Sequence, residues 1–242
     1  SSNIVNQLYA YYNVNDKLTL TLGNFNTFLG YEVISPVANF NYSTSYMFSY
    51  GPFSHTGIKA DYAVSDNVSI MVAVMNATDE TEADYSDAST FGAQLGLYGQ
   101  YINFLSGDDY TQFDFTGGFN ISEKLFLGIN ATTTELAADA SFSGVALYPQ
   151  YTLSDSFSLG IRGEIFSETN GGAGALYSGA LSGSSEDADN TSFTITGSYT
   201  KGNFILKPEF RIDTASANIY SKNATDFTDS LASFVVAAIY AF

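Results

Sequence analysis

Residues 203–213 read NFILKPEFRID, and alternate positions split into two sets. Phe204, Leu206, Pro208, Phe210 and Ile212 are all apolar; Ile205, Lys207, Glu209, Arg211 and Asp213 carry four charges. Alternation with period two is the mark of a strand. Four charges on one face are costly against a packed core, because each must be desolvated and paired. They are natural on a face that meets water. The opposite face is then an apolar surface that needs a cover other than the protein's own core.

Other segments repeat the arrangement. Leu18, Leu20 and Leu22 oppose Thr19, Thr21 and Gly23. Val68, Ile70, Val72 and Val74 share a face. Phe157, Leu159, Ile161 and Ile165 oppose Ser158, Gly160, Arg162 and Glu164. Four stretches mark the turns between such strands: YNVNDKLTL from Tyr12, YAVSDNVSI from Tyr62, FNISEKLFL from Phe119 and YTLSDSFSL from Tyr151. A looser fifth begins at Tyr199. Each places Asn or Ser beside an acid, residues whose side chains bond their own backbone and stabilise tight turns. Each repeat therefore reads as a tight β-hairpin.

The other ends of the hairpins are long, polar and acidic, at 76–89, 167–192 and 214–230. Short turns at one end, long loops at the other and strands of about ten residues between them describe a transmembrane β-barrel. Tyr12, Tyr62, Phe119, Tyr151 and Tyr199 would form an aromatic girdle at the short-turn end. A soluble β-sandwich also alternates, but it buries its apolar faces against a second sheet. Here the charged faces leave no such core.

Composition agrees. The 242 residues include 18 Tyr, 20 Phe and 21 Gly, with 4 Pro and no Cys. Without cysteine there is no disulfide framework and no thiolate metal site. The charge of −17 disfavours nucleic acid as a partner. No apolar run reaches the roughly 18 residues of a membrane helix, and Ser1 does not open a signal peptide.

The expected fold is all-β, a single antiparallel up-and-down transmembrane barrel over residues 1–242. About 13 strands are expected, at roughly 4–13, 17–26, 52–64, 67–76, 90–97, 99–106, 110–121, 124–134, 142–153, 156–168, 191–200, 203–213 and 231–242. The break near Tyr98 and Gly99 sets the direction of every later strand. Bacterial single-chain barrels have even strand numbers, so at least one strand is expected upstream of Ser1. SFVVAAIYAF, residues 233–242, reads as the closing strand. Phe234, Val236, Ala238, Tyr240 and Phe242 face lipid there, while Val235, Ala237, Ile239 and Ala241 point inward. Phe242, with an aromatic residue two positions before it, resembles the C-terminal signal read by the barrel-insertion machinery, which implies a true C-terminus.

One segment breaks the hairpin rhythm. Its pieces are Gly23-Asn24-Phe25, Gly30-Tyr31-Glu32, Asn39-Phe40-Asn41-Tyr42-Ser43 and the run from Gly51 through Pro52, Phe53, Ser54, His55 and Thr56 to Gly57. This resembles the signature region of the OmpL-like β-barrel porins of the Bacteroidetes. The resemblance covers most of the chain and is specific mainly in residues 22–76. It implies a pore in the outer membrane of a Gram-negative bacterium. It also implies a signal peptide and about three further strands upstream, about sixteen in all, a porin-sized barrel. Asn24 departs from the family, whose members often carry a basic residue there.

The loop at about 27–51 has two readings. It folds into the barrel as a constriction lined by Tyr31, Glu32 and Tyr42, as lumen-facing loops may do, or it packs over the barrel mouth. By strand parity Lys59, Asp61, Arg162, Glu164, Lys207, Glu209, Arg211 and Asp213 line the lumen. They either form opposed rows of base and acid that filter solutes, or pair locally and keep the interior wet. His55, the single histidine, also faces inward and reads as a structural residue bonded to the preceding loop. Catalysis would need partners that the sequence does not supply, so no enzyme and no cofactor is expected. The acidic runs Asp79–Asp87 and Glu186–Asp189 lack the ordered spacing of a calcium loop, and no metal site is expected.

The sequence thus points to an outer-membrane porin passing small hydrophilic solutes by passive diffusion, with mild cation preference. The alternative is a structural or partner-binding barrel with a plugged lumen inside a larger assembly. Its surroundings would be outer-membrane lipid and lipopolysaccharide, small hydrophilic solutes and, on the second reading, other outer-membrane proteins.

Overall fold

The computed structural model describes residues 7–82, 89–107, 109–170, 187–223 and 225–242. Thirteen strands form one sheet in sequence order, each antiparallel to the next. They are β1 (Leu8–Asn13), β2 (Leu18–Asn26), β3 (Ser54–Ser65), β4 (Val68–Met75), β5 (Thr90–Leu97), β6 (Gln100–Ser106) and β7 (Tyr110–Asn120), then β8 (Leu125–Leu136), β9 (Ser141–Ser154), β10 (Phe157–Thr169), β11 (Ala188–Lys201), β12 (Phe204–Ala215) and β15 (Ser230–Tyr240). A two-residue ladder, β13 (Tyr220–Ser221) with β14 (Phe227–Thr228), decorates the connection before the last strand. A short helix, α1 (Tyr46–Tyr50), lies between β2 and β3.

The turn chemistry does what its residues dictate. Asn15 Oδ1 accepts from the backbone N–H groups of Lys17 (2.9 Å) and Leu18 (3.0 Å). Ser122 Oγ accepts in the same way from Lys124 and Leu125. At Tyr98 and Gly99 both φ angles are positive, 53° and 82°. That is the backbone a two-residue hairpin needs to match strand twist, and it confirms the break on which the strand directions depend. The far end is less uniform than the sequence suggests, because 107–109 and 137–140 are short connections there. The acids at 84, 87 and 186 lie outside the described residues. Asp79 is described and is a loop clamp: its Oδ1 accepts from the N–H groups of Phe53 (2.8 Å) and Ser54 (2.7 Å).

The sheet is inside out relative to a soluble protein. Leu22, Ile165 and Phe234 are more than 60% exposed on its outer face, while Arg162, Glu164 and Thr194 are buried on its inner one. The five aromatic residues of the expected girdle, Tyr12, Tyr62, Phe119, Tyr151 and Tyr199, are all exposed. Each lies in or beside a strand end next to a short turn. Exposed apolar area on this scale requires a nonaqueous cover.

The inner loop and its anchors

Residues 27–53 leave β2 and run along the inside of the sheet to β12 before returning to β3. The path is traced by hydrogen bonds. Gln94 Nε2 of β5 donates to the Phe28 carbonyl (3.2 Å). The Gly30 N–H donates to Asp114 Oδ1 of β7 (3.0 Å) and the Tyr31 N–H to Asn130 Oδ1 of β8 (3.3 Å). Tyr31 stacks on Tyr148 of β9 with ring centres 4.3 Å apart. Glu32 pairs with Arg162 of β10 at 2.8 Å, both buried. Asn41 then donates to Thr196 of β11 (2.7 Å).

At the end of this path the charged strand read first in the sequence meets the loop. Glu209 accepts from the N–H groups of Tyr42 (2.7 Å) and Ser43 (2.9 Å). Lys207 Nζ donates to the carbonyls of Pro36 (3.0 Å) and Asn39 (2.5 Å). Arg211 Nη1 donates to the Thr44 carbonyl (2.7 Å), while its Nε binds Asp213. Glu164 takes the N–H groups of Tyr46 and Met47, both at 2.9 Å, at the start of α1. Carboxylates at these positions satisfy backbone donors that have no helical partner. Ser45 caps the same turn through the Phe48 N–H and binds Glu32 by both its N–H and its hydroxyl.

Sterics complete the fit. Gly128, Gly144 and Gly160 are inward positions on β8, β9 and β10. A Cβ there would overlap Tyr31, Met47 and Phe40 respectively. Glycine lets those side chains lie directly on the strand backbone, its usual role where another group must approach closely. Burial pushes the phenols of Tyr31 and Tyr46 above their ordinary range, so both stay neutral.

The eight residues expected to line the lumen divide into two groups. Arg162, Glu164, Lys207, Glu209, Arg211 and Asp213 sit on β10 and β12, either side of β11, and all but Asp213 bind the loop directly. Base and acid there are neighbours on one wall, not rows facing one another. Lys59 and Asp61 stand apart on β3, paired with each other at 2.8 Å and partly exposed. Of the loop residues, Glu32 is buried at the Arg162 contact, Tyr31 covers Tyr148, and Tyr42 is exposed. His55 is buried, with Nε2 3.0 Å from Thr27 Oγ1 and its ring beside Phe28.

Sequence reasoning missed Asp114. It is buried, and besides Gly30 it accepts from Asn103 (2.7 Å) and Asn130 (2.5 Å). The signal was present: in TQFDFT, residues 111–116, Asp114 alternates with Phe113 and Phe115. Among the described residues no group of His, Cys, Asp and Glu is arranged to hold a metal ion.

Solved structures show the same fold. The in-vitro folded form of OmpT, an outer membrane protein of Vibrio cholerae, superposes with a TM-score of 0.55 at 14% identity, covering 97% of this chain and 88% of that one. Its loop L8 deletion mutant gives 0.56 at 13% identity, with 97% and 89% covered. The outer-membrane expressed form gives 0.55 at 12%, with 93% and 77% covered. No curated protein matches by sequence. The profile of one family, beta-barrel porin-2, OmpL-like, matches residues 1–242. With outer-membrane barrels as its structural neighbours and this profile across its whole length, the chain belongs to the OmpL-like beta-barrel porin-2 family.

Proposed function

We propose that this barrel is a channel for passive diffusion of small hydrophilic solutes across the outer membrane of a Gram-negative bacterium of the Bacteroidetes. One observation carries the reading. The loop is anchored along the inner faces of β5 to β12, while on β3 the Lys59–Asp61 pair is left partly exposed. Solute passes between the loop and the uncovered wall, where the Lys59–Asp61 pair lies. The loop then acts as a fixed constriction whose shape sets the size limit. The barrel's outer face contacts lipid, with lipopolysaccharide in the outer leaflet.

The test is conductance of the full-length protein in a planar bilayer. Discrete steps in potassium chloride are expected, and their absence would sink the channel reading. A second reading, a plugged barrel serving as a structural subunit bound to other outer-membrane proteins, draws on the density of anchors between loop and wall. It is favoured if no steps appear and the protein is isolated with a stoichiometric partner.

A further inference from the structure

The loop divides the inside of the sheet, and two cavities lie on its short-turn side. One, of about 620 Å³, is bounded by Tyr31, Phe40, Phe126, Tyr148 and Gln150 among others. The next, of about 480 Å³, shares Tyr31 and Phe126 with the first and continues past Phe28 and Tyr101. Both fall within the size of small-molecule sites, about 300–1,000 Å³. Three of the bounding rings sit on strand glycines: Phe126 over Gly118, Tyr31 over Gly128 and Phe40 over Gly160. Each is held against the wall by the missing Cβ and borders a cavity, so the rings form a track along the wall.

The polar lining differs in kind. Asn41, Gln150, Ser198 and Thr200 supply neutral amides and hydroxyls around the larger cavity. Its two charged members are already engaged. Glu32 is held by Arg162 and Ser45, and Lys207 by two loop carbonyls. Each also lies beside an opposite charge, Glu32 beside Arg162 and Lys207 beside Glu209, so the lining is electrically balanced. Aromatic surface beside neutral hydrogen-bonding groups suits a molecule with apolar C–H faces and hydroxyl edges. It does not suit an ion, which would enter at a desolvation cost without a partner.

We infer that these adjoining cavities are a binding site for a neutral saccharide of two or more rings, placed on the short-turn side of the loop. This rests on the lumen being the solute path proposed above and names the class of solute. Short turns face the periplasm in outer-membrane barrels, so the site holds a sugar after it has passed the loop.

Maltotriose serves as the probe. Added to conducting channels, it is expected to reduce current with saturation. Tyr31→Ala should raise the half-blocking concentration about tenfold, while Tyr62→Ala on the outer face should leave it unchanged. Isothermal titration in detergent reads the same binding without needing conduction. Saturable heat in a protein that does not conduct would uphold the site and remove the channel reading. Normal conduction with block that is absent, linear in sugar, or unchanged in Tyr31→Ala would overturn the site and leave the channel. If Tyr31→Ala does not fold, Gln150→Leu is the substitute, since Gln150 makes only a long 3.4 Å contact with Tyr31. An unchanged affinity in that variant also overturns the site.

Discussion

Arg162 ties the loop to the wall through three residues. It reaches Glu32, both the carbonyl and hydroxyl of Ser43, and Thr194, from a fully buried position. A buried pair gains little over an apolar one, but breaking it strands the remaining charge. Arg162→Met should therefore cost about 3–5 kcal/mol in urea unfolding of the refolded barrel. The combined Glu32→Gln and Arg162→Met replacement should recover part of that loss, giving a coupling energy in the double-mutant cycle. If the two single changes simply add, the pair does not dock the loop. Gly128→Ala probes the steric half of the fit. Its new Cβ meets the Tyr31 ring, and overpacking of this kind costs about 1–3 kcal/mol. An unchanged unfolding midpoint would show that the ring moves aside freely.

At the scale of elements, strands were far more legible than the loop. The period-two split of residues 203–213 assigned Lys207, Glu209 and Arg211 to the inner face, where the structure has them. Nothing in that split says what covers the face. Parity assigned Arg162 to the lumen, and the loop's composition singled out Glu32. Their contact joins positions 130 apart in the chain, which no local pattern encodes. The glycine beds escaped notice for the same reason, since Gly128 and Gly160 have meaning only beside Tyr31 and Phe40. The loop is held largely by two carboxylates, each taking two backbone N–H bonds, Glu164 and Glu209. Replacing both with Gln keeps their size but turns one of the two acceptor oxygens of each into an NH2 donor, so one backbone N–H of each pair loses its partner, at about 1–3 kcal/mol. The double variant should conduct more, with a noisier open level, because the loop samples positions off the wall. Unaltered conductance and noise would mean that these carboxylates do not set the constriction.

For the whole molecule the question is which sign of ion the pore favours. The net charge is −17, and the long connections at 76–89, 167–192 and 214–230 hold eleven acids against one base, Lys222. The lumen bases do not offset this. Lys207, Arg162 and Arg211 spend their donors on loop carbonyls and neighbouring carboxylates, and Lys59 is tied to Asp61. A negative potential that concentrates cations is therefore expected at that end of the pore. A potassium chloride gradient should give a reversal potential of cation-selective sign. Raising ionic strength from about 0.1 to 1 M shortens the screening length from about 10 to 3 Å, so the preference should fade over that range. Asp61→Asn releases Lys59 on the uncovered wall and should shift the reversal potential toward anions. Anion selectivity in the unmodified channel, or a preference indifferent to salt, would place control with Lys59 itself rather than with the field of the acidic connections.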